Sequence, residues 1–144
     1  MQICDTPSPT SHTTARTVAC VSDDPRHRLG QLGEQLASEH LTRRGFTILE
    51  RNFRTRWGEL DIVAFDGSTL AFCEVKTRWL RRPGPPPLEA VGPRKRGRVR
   101  RMAASWLSER PTRPYARSVR FDAIGVTFDA RGQLVSLEHL EGAF

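Results

Sequence analysis

GELDIVAFDGSTLAFCEVKTR, residues 58–78, decides how this chain folds. Two strand-like runs, 58–65 and 69–78, flank Asp66, Gly67 and Ser68, the composition of a tight β-hairpin turn. Successive side chains of a strand point to opposite faces. Glu59, Asp61, Val63 and Phe65 therefore share one face of the first strand, and Phe72, Glu74 and Lys76 share one face of the second. Leu60, Ile62 and Ala64, with Ala71, Cys73 and Val75, form the apolar set. Burying charge is costly unless it is paired or bound to something. Charges on a core hairpin need a reason.

A two-residue turn at Gly67 and Ser68 sets Asp61 opposite Glu74 and Glu59 opposite Lys76. A turn at Asp66 and Gly67 shifts the pairing but keeps all four on one face, and a one-residue slip is disfavoured by the hydrophobic alternation. Cross-strand Cβ atoms lie roughly 4.5–5.5 Å apart, close enough for two carboxylates to grip one divalent cation. Mg2+ is held typically by one or two carboxylates with waters and phosphate oxygens. A lysine beside it can orient or help deprotonate a water, or stabilise developing negative charge. The alternative is a plain ion-pair ladder from Glu59 to Lys76, with Asp61 in a turn-like role. Against it stands a bias in the composition: of 23 basic residues, only Lys76 and Lys95 are lysine. In so arginine-rich a chain, these two are candidates for positions where a compact ammonium cannot be replaced by guanidinium.

Outward from the hairpin, residues 1–24 are rich in Ser, Thr and Pro and lack hydrophobic periodicity, the composition of a disordered tail. The single domain is expected over 25–144. From about Pro25, Leu29, Leu32, Leu36, Ala37 and Leu41 follow helical spacing, with Asp23 or Asp24 as N-cap and Gly45 as the stop. Residues 46–53 read as a strand. After the hairpin, RRPGPPP at 81–87 is a loop that cannot continue a strand. A second helix is expected from Leu88 to about Glu109, with Val91, Val99, Met102, Ala103, Trp106 and Leu107 inward. Stretches 118–129 and 133–140 form a second hairpin around Ala130, Arg131 and Gly132. The order αβββαββ predicts an α/β domain, one small mixed sheet flanked by helices.

The net charge of +7 is uneven. Between Lys76 and Arg101 ten basic residues face one acid, Glu89, which makes a phosphate polymer the natural partner. Three cysteines without metal spacing, Cys4, Cys20 and Cys73, point to a reducing compartment, and no apolar run approaches membrane-spanning length. The N-terminal stretch has neither the basic nor the apolar region of a secretory signal, so a cytoplasmic protein without membrane association is expected. His12, His27, His40 and His139 show no ligand spacing and are assigned no chemistry.

The pattern of Asp61 followed by Glu74, Val75 and Lys76 resembles the D…ExK signature of the PD-(D/E)XK nuclease superfamily. Alone it is short and degenerate. With GQLGEQLASEHLTRRGFTILERNFR, EAVGPRKRGRVRRMAASWL and RFDAIGV around it, residues 28–143 resemble the YraN-type family of bacterial proteins, similar to Holliday-junction resolvases. The resemblance implies a restriction-endonuclease-like fold and a Mg2+- or Mn2+-dependent endonuclease, a phosphodiester hydrolase acting on DNA, with branched DNA of repair or recombination as one substrate and a homodimer as the working form. It implies Asp61 and Glu74 as metal-binding carboxylates, the Val75 carbonyl as a further ligand, Lys76 as the catalytic lysine and Glu34 as an extra acid. Lys95 would contact phosphate, and Arg54, Arg78, Arg94 and Arg98 complete the expected nucleic-acid surface. Two other classes fit the same residues: a nucleic-acid-binding module without catalysis, and a scaffold whose basic surface meets an acidic partner.

Overall fold

The computed structural model describes residues 24–80 and 92–144. Residues 1–23 of the expected tail, with the alternative cap Asp23, lie outside the described residues, as do the RRPGPPP loop and residues 88–91, where the second helix is expected to start. Asp24, the last residue of the expected tail, is described and caps the first helix. The element order is α1 (Pro25–Arg43), β1 (Thr47–Thr55), β2 (Gly58–Phe65), β3 (Thr69–Trp79), α2 (Pro93–Glu109), β4 (Ser118–Phe128) and β5 (Leu134–Leu140). All five strands lie in sequence order in one sheet. Only the β3–β4 pair is parallel, because α2 intervenes between them; the others are antiparallel.

The helices cover opposite faces. Ile62, Ala64, Ala71, Cys73, Val75, Ile124 and Val126 pack with Leu29, Ala37 and Leu41 of α1. Val63, Leu70 and Phe72 pack with Val99, Met102, Ala103 and Trp106 of α2. Both helix starts follow from local chemistry. The Asp24 carboxylate accepts a hydrogen bond from the Arg26 N–H at 2.9 Å, which caps α1 ahead of Pro25. Described α2 begins at Pro93 with Gly92 as N-cap and no side-chain cap bond. The second hairpin turns at Gly132, whose φ of 79° suits glycine, while Asp129 accepts from the N–H groups of Arg131 and Gln133.

Not every apolar residue in the helical spacing of α1 is buried. Leu32 is 44% exposed. The buried stripe runs instead through Leu29, Gly33, Ala37 and Leu41, four residues apart. Gly33 sets it: a Cβ there would collide with the Thr77 side chain of β3, so the helix rests its glycine directly on the strand.

Two histidines given no role by their spacing prove structural. Asp122 of β4 is fully buried. It accepts two hydrogen bonds from Arg120 at 2.9 and 3.0 Å, one from the Gly142 N–H, and one from His139 Nε2 at 2.9 Å. With Nε2 donating, His139 Nδ1 is left to accept from His40 of α1 and from Arg44. Burial tends to raise the Asp122 carboxyl, but these bonds outweigh it and hold it low. The charge thereby ties the edge strand β5 to the C-terminal end of α1.

Gly33→Ala is expected to lower the urea unfolding free energy by about 1–3 kcal/mol, the usual cost of overpacking. Adding Thr77→Ala should recover most of it. An unchanged urea midpoint in the single variant would show that the helix can lift from the strand at no cost.

Candidate active site

The hairpin register is the one set by a turn at Gly67 and Ser68: Ile62 pairs with Cys73, Val63 with Phe72, and Phe65 with Leu70. The ladder ends at Ile62 and Cys73. Beyond it β2 stays with β1 as far as Gly58, and β3 stays with β4 as far as Trp79, so the two central strands part. At the parting point the Asp61 carboxylate accepts the Val75 backbone N–H at 2.6 Å, taking the place of a ladder bond.

Asp61 does not lie on the expected face. In β1, Asn52 has a φ of 53°, the left-handed region that asparagine tolerates better than most residues. Alternation slips there, and the slip is shared by the paired strand. Phe53 and its partner Leu60 bury on the α2 side, beside Val63 and Phe72, although strict alternation from Ile62 would put Leu60 on the other side. Asn52, Arg54, Glu59 and Asp61 consequently open towards α1. They line a cavity of about 490 Å³ with Arg26, His27, Gly30, Gln31 and Glu34. The expectation that Glu59, Asp61, Glu74 and Lys76 share one face is thus corrected. Glu59 and Asp61 lie on the α1 side, while Glu74 points to α2.

Glu34 is brought into this cleft. Its carboxylate accepts from Asn52 Nδ2 at 2.8 Å and lies 3.8 Å from Arg51. Glu59 pairs with neither Arg56 nor Lys76 but with Arg54, at 3.4 Å, so the Glu59–Lys76 ladder does not form. Arg26 and His27 reach the cleft from the first turn of α1. Their spacing from the hairpin carried no signal that could have found them.

Glu74 gathers the chain's two lysines. Lys76 Nζ lies 2.8 Å and Lys95 Nζ 2.9 Å from the same oxygen, Oε1. The other oxygen, Oε2, is buried without a hydrogen-bond partner. Burial pushes the Glu74 carboxyl upward, but the two ammonium groups prevail and hold it below the ordinary carboxylate range. Asp61 goes the other way. Burial raises it to about 7; the Val75 N–H opposes the rise, and the charges of Glu34 and Glu74 add to it. Two carboxyls at one gap are held at different protonation tendencies, a pattern common at reactive sites.

Of the expected nucleic-acid contacts, Lys95 reaches the centre through Glu74. Arg54 borders the cleft, and Arg78 donates to Thr127 Oγ1 at 3.3 Å. Arg94 and Arg98 are exposed on α2. Among the described residues no three His, Cys, Asp or Glu side chains are gathered around a common point. A cation at the parting of β2 and β3 would meet Asp61 from the α1 side and Glu74 from the α2 side, the latter with a buried oxygen that has no partner. That set suits a hard cation completed by water and phosphate oxygens better than a closed protein cage.

A family model described as "Uncharacterised protein family UPF0102" matches residues 33–126. The chain belongs to this family. UPF0102 proteins similar to it include one from Frankia alni, 53% identical over 116 residues that cover 81% of this chain and 93% of the relative. One from Frankia casuarinae is 50% identical over 117 residues, 81% and 95% of the two chains. One from Geobacter metallireducens is 47% identical over 116 residues, 81% and 91%. The UPF0102 match spans α1 from Gly33 into β4, so Glu34, Asp61, Glu74, Lys76 and Lys95 all fall within it. The YraN-type resemblance read from the sequence is this same family.

Two measurements test this geometry. Because Asp61 titrates near 7 when folded and near 3.8 when unfolded, the folded state binds the extra proton between those values. Its contribution is therefore greatest at low pH and is lost as pH rises towards 7. Asp61→Asn, which can still accept from the Val75 N–H, should raise stability by about 2–4 kcal/mol at pH 8 and by little at pH 4 in urea denaturation. A gain independent of pH would contradict the shift. At position 52, Asn52→Gly should keep the left-handed backbone, whereas Asn52→Val should cost about 1–3 kcal/mol and reduce the protection of the Val75 amide in hydrogen exchange.

Proposed function

We propose that this chain is a metal-dependent endonuclease that hydrolyses DNA phosphodiesters. The observation that supports it is the parting of β2 and β3, where Asp61 and Glu74 flank one gap and both lysines of the chain converge on Glu74. Asp61 and Glu74 would hold Mg2+ or Mn2+, with the Val75 carbonyl as a further donor and Glu34 as the acid across the cleft. A divalent cation bound there would polarise a phosphate oxygen and lower the pKa of a coordinated water.

The chain's own residues supply the rest. Lys76 is half exposed, so its ammonium can turn from Glu74 to a phosphate oxygen as negative charge builds there. Asp61 stays on the Val75 N–H, which fixes the carboxylate's orientation before any ligand arrives. Glu34, steadied by Asn52, places a second negative charge near Asp61 and favours a cation in the cleft. Arg26 and Arg54 flank the same cleft and can clamp the backbone on either side of the scissile phosphate. Arg94 and Arg98 extend the cationic surface along α2, and the net charge of +7 favours encounter with a polyanion.

One observation favours a second reading, a nucleic-acid-binding module without turnover: Glu74 Oε1 is already paired with two ammonium groups. The two readings separate in one experiment. Branched, duplex and single-stranded DNA are incubated with the full chain and Mn2+, alongside Asp61→Ala and Lys76→Ala. The endonuclease reading expects cleavage reduced at least about a hundredfold in each variant, with salt-sensitive DNA binding retained. Cleavage that persists in both variants would remove these residues from the chemistry. DNA binding with no cleavage by any protein would favour the module.

A further inference from the structure

We infer that Lys95 is an exchangeable counter-ion of Glu74: it occupies the carboxylate in the free protein and transfers to a phosphate of the bound nucleic acid, coupling anion binding to cation binding. The inference rests on the metal-site reading above and adds to it the order in which the site becomes available.

Three observations around Glu74 carry it. Lys76 and Lys95 lie 2.8 and 2.9 Å from a single oxygen of Glu74, so one negative charge is matched by two positive ones. One of the two lysines is in excess for neutralising the acid. Lys95 is the more enclosed of the pair, its side chain 23% exposed against 48% for Lys76, so it screens Glu74 from an incoming cation more effectively. Finally, Glu74 Oε2 is buried and unpartnered although Oε1 carries both ammonium groups. A carboxylate held only for structure would be expected to share its donors between its oxygens. Here one oxygen is left as an open acceptor.

The position of Lys95 in α2 is also unfavourable for the helix itself. It lies in the first turn, after Gly92 and Pro93 and beside Arg94 and Arg96, with no acidic residue in that turn. Cations at a helix N-terminus oppose the helix dipole. Attraction to Glu74 explains why Lys95 stays there in the free protein. A phosphate beside Arg94 would compete for the same ammonium, and the flexible lysine stem allows the transfer without movement of the backbone. When Lys95 leaves, Glu74 keeps Lys76 and recovers negative potential at the gap it shares with Asp61. Linkage makes the effect reciprocal: a cation on Glu74 would free Lys95 for phosphate.

The test uses the full chain and Mn2+ alone, with free ion followed by electron paramagnetic resonance in the absence of nucleic acid. Lys95→Ala should bind Mn2+ about five- to twentyfold more tightly than the unsubstituted protein, within the range of ordinary coupling between sites. Arg96→Ala removes a neighbouring charge that does not touch Glu74 and should change the affinity by less than about twofold. In a Glu74→Gln background, Lys95→Ala should gain nothing. Mn2+ binding that is equal or weaker in Lys95→Ala overturns the counter-ion inference while leaving the metal site standing. An equal gain in Arg96→Ala overturns it as well, because net charge would then be the cause. No Mn2+ binding by the unsubstituted protein or by Lys95→Ala overturns the metal-site reading and the inference together.

Discussion

Backbone hydrogen bonding forces the central hairpin open, and the rest of the site depends on that opening. β2 is committed to β1 along its whole length, and β3 to β4 along its whole length. The sheet twists between these commitments, and the β2–β3 ladder gives out after Ile62 and Cys73. A buried N–H left at such a fork needs an acceptor. The Asp61 carboxylate supplies it to Val75. The same act places a carboxylate in a poorly solvated notch, which is why burial dominates its proton affinity. Structure and electrostatics therefore have one origin here.

The two sides of the fork are not alike. Towards α1 the surroundings are mixed: Glu34, Asn52, Arg54 and Glu59 border a cavity with room for solvent or a ligand. Towards α2 they are tight and cationic, with Glu74 held between lysines from a strand and a helix. Asp61 and Glu74 feel each other across the gap, yet each answers to its own side. A fork of this kind lets one carboxyl stay ionised while its neighbour tends to hold a proton. Packing keeps the arrangement in place, since Gly33 lies directly on Thr77 and Asn52 braces Glu34.

Much of this was legible beforehand. Turn residues and alternation gave both hairpins, and the register is the one a turn at Gly67 and Ser68 sets. Asp24, Gly45 and the apolar spacing of Val99, Met102, Ala103 and Trp106 marked helix limits and inner faces. Lys95 stood out by the rarity of lysine in this chain and by the family resemblance, and its meeting with Glu74 gave that rarity a place in space. What misled was the assumption of strict alternation. A single left-handed residue, Asn52, turns two paired strands by half a period, and asparagine alone does not announce that it will do so. Leu32 shares the helical spacing of α1 yet stays exposed, because contact with Thr77 turns the helix onto the stripe through Gly33.

By itself the sequence determined the local elements, their order, and the types of side chain available for chemistry. Those follow from forces that act over a few residues: side-chain alternation, capping, turn conformation and helical period. Tertiary structure decided which of those side chains meet. The parallel pairing of β3 with β4, the face on which Asp61 lies, the union of Lys76 and Lys95 on one oxygen, and the burial of Asp122 with His139 all join residues far apart in the chain. No local propensity encodes such meetings. They arise because two helices must cover opposite faces of one twisted sheet, and every buried polar group must then find its partner in the space that remains.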